Sequence, residues 1–220
     1  GVITDETIKS VADLKGKTVA AEPNIPSRLL LQMELKKAGL TLADLQIKDI
    51  STADTAAVFS DTSISAIATY EPFMSQAVKN STRPNARVFI SSADARGIII
   101  DVITARKEDL AANPKKYASF LKCIYKTIDF SKAEPDKYAE LAAPHFGLTP
   151  AEVKEILATS LAYTSLADTA AYMGKSGERG KLHDIFDQVM ALNVENGAAD
   201  NTLDSNQQID NSVINGLAAQ

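Results

Sequence analysis

Residues 10–40, SVADLKGKTVAAEPNIPSRLLLQMELKKAGL, contain a strand, a loop and a helix in close succession. Thr18–Ala21 is a short β-compatible run, and the Glu-Pro pair that follows it ends the strand. A helical pattern then runs over residues 26–38, with a proline at its first position and Gly39 directly after its last. Proline at the start and glycine after the end are the usual asymmetry of a helix. The stretch therefore predicts one βα unit of an α/β fold.

The loop over residues 22–27 connects this strand to this helix. In open α/β sheets, ligands bind at the edge where strands end and helices begin. The unpaired N–H groups and the positive end of the helix dipole favour an anionic group there. A capped turn without a ligand would leave the same pattern, so both interpretations stay open. The chain has no GxGxxG or GxxxxGK(S/T) motif, which argues against nucleotide phosphate as the anion.

The composition is that of a soluble globular protein, with 45% hydrophobic and 23% charged residues among 220. The net charge of −5 argues against a nucleic-acid partner, which would be held through its phosphates. One cysteine, Cys123, rules out an internal disulfide and a cysteine-based zinc cluster, and its apolar-rich surroundings predict a packed side chain. No apolar run is long enough to span a membrane. Gly1 is not a start residue and no signal peptide follows it, so we expect a mature or trimmed product.

Residues 17–104 alternate between β-compatible runs and helical patterns, which predicts a mostly parallel α/β sheet with right-handed crossovers. Residues 1–8 are expected to form an extended or irregular lead-in. Asp101 interrupts the last apolar run, and an unpaired acid in a buried strand is costly. This run is therefore predicted to leave the covered sheet or to cross between two lobes. The predicted strands cover residues 18–21, 46–50, 64–70, 87–91 and 98–104, and the predicted helices residues 26–38, 53–59 and 71–79.

From Lys107 onward the pattern is helical throughout. These helices have apolar faces but no strands of their own, and an apolar face must be buried against another element. They are therefore expected to form a bundle or to cover a second sheet whose strands this chain does not contain. The predicted helices cover residues 107–112, 114–132, 136–146, 149–162, 165–173 and 178–196, followed by a polar loop over 198–208 and a last turn or two within 210–218.

Five segments, by their order and spacing, carry a family resemblance over nearly the whole chain. They resemble the solute-binding proteins of ABC importers for nitrate, sulfonates, taurine and thiamine precursors. The segments are SVADLKGKTVA (residues 10–20), KKAGL (36–40), ISAIATYEPFMSQA (64–77), GIIIDVITARKEDLAANPKKYASFLKCIYKTID (97–129) and LADTAAYMG (166–174).

The resemblance implies a type II periplasmic-binding fold, in which two α/β lobes joined by crossing strands close around a ligand. It places an α/β second lobe at residues 11–98, the hinge crossing at 99–105, and a mainly helical part of the first lobe at 106–220. The opening strands of that first lobe are expected to be absent, about 90 residues by the usual size of such proteins. Either the chain is a fragment of a longer protein, or a second chain or a second copy is expected to complete the lobe, because its apolar helix faces are otherwise exposed.

The resemblance also implies ligand contacts in the α/β lobe. Asn24, Pro26 and Ser27 match the loop that offers backbone N–H groups and a hydroxyl to the anionic end of the ligand. Tyr70 and Glu71 match an aromatic–acid–proline motif, in which the acid meets a ligand cation and the aromatic ring packs on it. An acid at a helix N-terminus is also favourable by about 0.3–1 kcal/mol through the dipole alone, and Tyr70 fits a core position equally well.

Arg96 and Asp101 are further candidates for ligand binding. Arg96, in the loop before the last predicted strand, would pair with an acidic group of the ligand, although an exposed loop arginine is usually solvated. Asp101 would lie near the hinge, either in a structural role or in contact with the ligand. No residue is assigned to catalysis, to a metal or to a cofactor.

Three classes of function fit this fold. The favoured one is a solute-binding protein, periplasmic or anchored outside the membrane, that delivers a small anionic or zwitterionic solute to an ABC permease. The second is an enzyme resembling pyrimidine-precursor-synthesis proteins, but the two histidines, His145 and His183, have no partner at metal-ligand spacing. The third is a ligand-sensing regulatory domain.

For the favoured solute-binding function, a ligand held by both Glu71 and the Ser27 loop would be zwitterionic, such as an aminosulfonate.

Overall fold

The computed structural model of the chain describes residues 1–95, 97 and 99–219, with the backbone alone at Asp94 and Ala95. The chain divides into two units. Unit 1 consists of Gly1–Asp101 and Val189–Thr202, and unit 2 of Val102–Gln188 and the residues from Leu203 onward. The lobe boundaries implied by the resemblance stay a prediction.

Unit 1 is built on a sheet of five strands, β1 (Val2–Thr4), β2 (Thr18–Ala21), β3 (Gln46–Asp49), β4 (Ala66–Ala68) and β5 (Arg87–Ile90). Their order across the sheet is β3-β2-β4-β1-β5. Strand β2 pairs in parallel with β3 and β4, whereas β1 pairs antiparallel with β4 and β5. The predicted α/β architecture is confirmed, and the sheet is mixed because β1 runs against both of its neighbours.

Strand β1 was not predicted as a strand of the sheet, since residues 1–8 were expected only to form an extended or irregular lead-in. Val2 and Ile3 are fully buried and belong to apolar clusters on opposite faces of the sheet. Three residues are too few for periodicity to identify a strand. The pairing partners of Val2, which are Ala68 and Ile90, are distant in sequence, so only the tertiary fold reveals this strand.

Helices cover both faces of the sheet. Successive residues of a strand point to opposite faces. Val19 accordingly shares an apolar cluster with Leu31, whereas Ala20 shares one with Phe59 and Ala77. The three predicted helices are confirmed to within about two residues at each end, as α1 (Pro26–Lys37), α2 (Thr52–Val58) and α3 (Phe73–Lys79).

The parallel strands β2, β3 and β4 are followed directly by α1, α2 and α3. The three connecting loops and the three helix N-termini therefore lie along one edge of the sheet. Short 3-10 turns at Val11–Leu14 and Leu42–Asp44 precede β2 and β3 at the other edge. The predicted capping box between Thr41 and Asp44 is present in the second of these turns.

Unit 2 contains no strand among its described residues. Its helices are α4 (Lys107–Ala112), α5 (Pro114–Ala133), α6 (Pro135–Phe146), α7 (Pro150–Thr159), α8 (Leu166–Met173), α9 (Lys181–Glu195, which continues into unit 1), α10 (Ser205–Gln208) and α11 (Ser212–Ala218). Helices α6 and α7 pack through Ala139, Ala143 and Val153. Helix α10 occupies part of the predicted polar loop, 198–208. None of the helices in the described ranges has the length and apolar character needed to cross a membrane.

Two predictions for the region after residue 97 are wrong. Residues 99–104 form no strand, and Ile98, where the predicted strand began, lies outside the described residues. Val102 and Ile103 are 60% and 55% exposed, and a strand forms only where a neighbouring backbone pairs with it. Cys123 is exposed rather than packed. Helix α5 buries little of its own surface, since Ser131 is its one buried residue.

Exposed apolar side chains of unit 2 border a groove of about 330 Å³. Its lining residues are Ile103, Thr104, Lys116, Tyr117 and Phe120. The expectation that a second chain or a second copy covers the apolar faces of these helices stays a prediction.

Candidate functional site

The candidate site lies along the edge of unit 1 where β2, β3 and β4 end. Its parts are the three loops that lead into α1, α2 and α3, together with the first turn of each helix. An open helix N-terminus presents N–H donors and a partial positive charge, so each of the three is a potential anion site. The side chains already placed at each N-terminus decide which of them remains open.

Helix α1 has an open N-terminus. Its N-cap residue, Ile25, has no side-chain oxygen, and the first turn contains no acidic residue. The hydroxyl of Ser27 is buried in this turn, with the residue 2% exposed, and it has no hydrogen-bond partner among the described residues. A buried polar group without a partner costs about 1–3 kcal/mol, so this hydroxyl is available to a ligand at a standing cost in stability.

Two other predicted residues shape the same loop. Asn24 is exposed and adopts a positive φ of 58°, a conformation that asparagine tolerates better than most residues. Pro26 is the first residue of α1, where the missing N–H costs no hydrogen bond. Asn24, Pro26 and Ser27 therefore lie together at one helix N-terminus, as expected from the sequence.

The N-terminus of helix α2 is already occupied by a carboxylate of the protein itself. Glu22, directly after β2, accepts hydrogen bonds from the backbone N–H and the hydroxyl of Thr52, at 2.8 and 2.5 Å. The Thr52 hydroxyl and then its N–H hold the pKa of Glu22 below the usual value, so the carboxylate stays ionised. No sequence pattern points to a role for Glu22, because the contact joins two loops that are adjacent only in the folded sheet.

Helix α3 also carries its own acid. Glu71 accepts hydrogen bonds from the backbone N–H of Ser75 at 3.1 Å and from its hydroxyl at 2.9 Å. Each oxygen of the carboxylate keeps one lone pair for a further donor. Tyr70 is 47% exposed and forms an edge-on contact with Phe73, with ring centroids 6.1 Å apart. The alternative that Tyr70 is a core residue is therefore wrong.

Two side-chain contacts connect the three βα units at this edge. Arg28, in the first turn of α1, donates from Nη1 to Oδ1 of Asp49, the last residue of β3, at 2.7 Å. The hydroxyl of Thr55 donates to the carbonyl of Thr52 at 2.6 Å and lies 2.8 Å from the hydroxyl of Thr69, which follows β4. Neither contact was predicted from the sequence, although Arg28 directly follows Ser27.

The two remaining ligand-binding candidates, Arg96 and Asp101, stay predictions. Arg96 lies outside the described residues. Asp101 is exposed and forms no hydrogen bond or ion pair with any residue that the structure describes. Within the described ranges, no group of three or more histidine, cysteine, aspartate or glutamate side chains is placed to hold a metal ion. His183 is buried and its Nδ1 accepts the N–H of Gly180 at 3.1 Å, which is a structural contact.

Comparisons with known proteins identify relatives of this architecture. A binding protein of Brucella abortus (strain 2308) is 26% identical over 147 residues, which are 64% of this chain and 44% of that protein. An aliphatic sulfonates-binding protein of Escherichia coli (strain K12) is 38% identical over 77 residues, 35% of this chain and 24% of that protein. The periplasmic aliphatic sulphonate binding protein SsuA from Escherichia coli matches with a TM-score of 0.74 at 22% identity, covering 97% of this chain and 69% of that one.

The chain spans less than half the length of the curated relatives it matches. The likeness to SsuA shows the fold, which is that of a periplasmic binding protein. A family model described as NMT1/THI5 like matches residues 1–138, which is more than half of the chain. The resemblance seen in the sequence is confirmed, and the chain belongs to the NMT1/THI5-like family.

Proposed function

We propose that the chain is the solute-binding component of an ABC importer and that it binds a small anion of the sulfonate class at the N-terminus of α1. The observation that carries the proposal is the hydroxyl of Ser27, which is buried and has no partner among the described residues. It lies at a helix N-terminus with no acid in its first turn. Binding of this kind needs positioned donors and no catalytic group.

A sulfonate fits these donors chemically. It spreads one negative charge over three acceptor oxygens, which can accept the N–H groups of the first turn and the Ser27 hydroxyl together. The occupied N-termini of α2 and α3 support α1 as the anion site, because Glu22 and Glu71 already place a carboxylate there. Two of the similar proteins, both from Escherichia coli, are named as binding aliphatic sulfonates, which favours a sulfonate over nitrate or a thiamine precursor as the ligand of this chain.

The cationic end of a zwitterionic solute would lie toward Glu71, with Tyr70 packed on the solute. Both side chains lie at the same sheet edge as Ser27, and Glu71 keeps acceptor capacity beyond its contacts to Ser75. An aminosulfonate such as taurine has the required pair of charges. Asn24 and Pro26 would shape the anion loop, and Arg96 and Asp101 remain expected contacts outside it.

A solute-binding role implies a location outside the cytoplasmic membrane and a permease in that membrane. The family membership and the periplasmic relative support both. The relatives are binding proteins, which supports a non-enzymatic role.

The direct test is isothermal titration of the 220-residue chain with ethanesulfonate, using methyl ethyl sulfone as an uncharged analogue. We expect the wild type to bind ethanesulfonate and not the sulfone, and Ser27→Ala to weaken binding at least tenfold, about the value of one hydrogen bond to a charged group. Ser60→Ala is the matched control, because it removes an exposed hydroxyl just after the C-terminal end of α2. Unchanged affinity in Ser27→Ala, or no anion binding by the wild type, would refute the proposal.

A further inference from the structure

Arg28 is the one cationic residue in the anion loop and the first turn of α1, residues 22–29. Its side chain is 19% exposed, and its Nη1 contacts Oδ1 of Asp49 at 2.7 Å. Asp49 ends β3 and is paired in register with Ala21, the residue just before the loop. The ion pair therefore lies at the same sheet edge as the Ser27 hydroxyl.

The pair changes the charge that a bound anion meets. A free Arg28 would add a full positive charge to the partial charge of the helix terminus, which is about +0.5. Asp49 cancels the charge of Arg28, and the ionised Glu22 in the same loop adds a negative charge. The donors left for the anion are therefore neutral, namely the Ser27 hydroxyl and backbone N–H groups. Neutral donors of this kind can hold a monoanion or a dianion. Loss of the net positive charge of Arg28 weakens a dianion more, because its Coulomb energy with that charge is twice as large.

We propose that Asp49 is a specificity-determining residue, which neutralises Arg28 and thereby restricts the α1 site to monoanions such as sulfonates over dianions such as sulfate. The inference rests on the proposed function, since it concerns the charge of the ligand at that same site. Asp49 acts through Arg28 and need not touch the ligand. Its side chain is 62% exposed, so its replacement by asparagine is not expected to prevent folding.

The test compares ethanesulfonate with sulfate by titration at low ionic strength, with sulfate measured by displacement of ethanesulfonate. Asp49→Asn should strengthen ethanesulfonate binding about threefold and sulfate binding about tenfold, because the Coulomb energy doubles with the ligand charge. Both gains should shrink at 0.5 M sodium chloride, since salt screens exposed charges. Glu195→Gln is the matched control, because Glu195 pairs with Lys36 at the other end of α1, at 2.8 Å. It should leave the ratio of the two affinities unchanged.

A second pair of variants separates charge from structure. Arg28→Gln leaves the carboxylate of Asp49 uncompensated and should weaken sulfate more than ethanesulfonate. The double variant Arg28→Gln, Asp49→Asn has a neutral pair and should restore the wild-type ratio of affinities. If Asp49 only holds α1 against β3, Asp49→Asn will weaken both anions by the same factor, which would overturn the inference. A wild type that binds neither anion refutes the proposed function instead.

Discussion

The carboxylate of Glu22, which follows β2, accepts both the backbone N–H and the hydroxyl of Thr52, the first residue of α2. One βα loop thus supplies the anion for the N-terminus of the next helix. The contact fixes the two loops relative to each other. Under the proposed function, the external anion binds instead at the N-terminus of α1, where the hydroxyl of Ser27 has no partner among the described residues.

The stability of unit 1 should therefore depend on the ionisation of Glu22. Its pKa is lowered from the ordinary value of 4.5 by the hydroxyl and N–H of Thr52. A group whose pKa is lowered in the folded state contributes its whole stabilisation when the pH is above its ordinary pKa. This stabilisation is lost as the pH falls through its pKa in the folded state. Glu22→Gln lacks this contribution, so its urea midpoint should lie below that of the wild type at pH 7, and the gap should narrow toward pH 3. Parallel midpoint curves for the two proteins from pH 7 to pH 3 would contradict the assignment.

Ser27→Ala should stabilise the ligand-free chain while it weakens anion binding. The substitution removes a buried hydroxyl that has no partner among the described residues, so the unfolding free energy should rise by about 1 kcal/mol. Urea denaturation without ligand measures this change, with Ser60→Ala as the exposed control. A clear loss of stability in Ser27→Ala would mean that the hydroxyl has a structural partner and that the site is not held open.

Glu71→Gln should distinguish a ligand-binding acid from a helix cap. If Glu71 meets a ligand cation, this variant weakens taurine far more than ethanesulfonate, which has no ammonium group. Ser75→Ala is the matched control, because it removes the hydroxyl that donates to Glu71 at 2.9 Å and keeps the carboxylate. Titration of both ligands into both variants gives the comparison. Equal losses for taurine and ethanesulfonate in Glu71→Gln would leave Glu71 as a cap alone.

The sequence was sufficient to predict the βα edge but not what fills it. Ser27 was predicted to lie at a helix N-terminus from the proline at residue 26, the glycine at residue 39 and the alternation of strands and helices. The structure confirms this position. The contact of Arg28 with Asp49 depends on the parallel register of β2 and β3, which no local pattern encodes. The same limit hid β1, whose partners are distant in sequence.

Apolar patterning also has a limit in the second half of the chain. It predicted the helices of unit 2 well, because period and capping are local properties. It could not show whether a neighbour covers each apolar face. Ile103 lies in an apolar run that was predicted to be a strand leaving the sheet or crossing between lobes, yet it is 55% exposed and pairs with no described strand. Cys123, in an apolar-rich helix, is exposed for the related reason that α5 packs over little of its surface.

A buried ion pair in unit 1 gives the largest expected effect on stability. The Nε of Arg83 lies 3.0 Å from Oδ2 of Asp5, and their side chains are 7% and 8% exposed. Arg83 also donates to the carbonyl of Ile64 at 2.7 Å and lies over the ring of Phe59. Asp5→Ala would leave the guanidinium buried without its counterion, so the free energy of unfolding should fall by about 3–5 kcal/mol.

The acid dependence of the same pair gives a second readout. Burial opposes ionisation of Asp5, but hydrogen bonds from Thr7 and the charges of Arg83 and Arg87 outweigh it and hold its pKa below the ordinary value of 3.8. The ion pair therefore contributes its whole stabilisation above the ordinary pKa, and this stabilisation is lost as the pH falls below it. The difference in urea midpoint between the wild type and Asp5→Ala should be smaller at pH 3 than at pH 7. Glu195→Gln, which removes an exposed ion pair, should differ little from the wild type at either pH. A loss in Asp5→Ala no larger than that in Glu195→Gln would show that the buried pair does not stabilise the sheet.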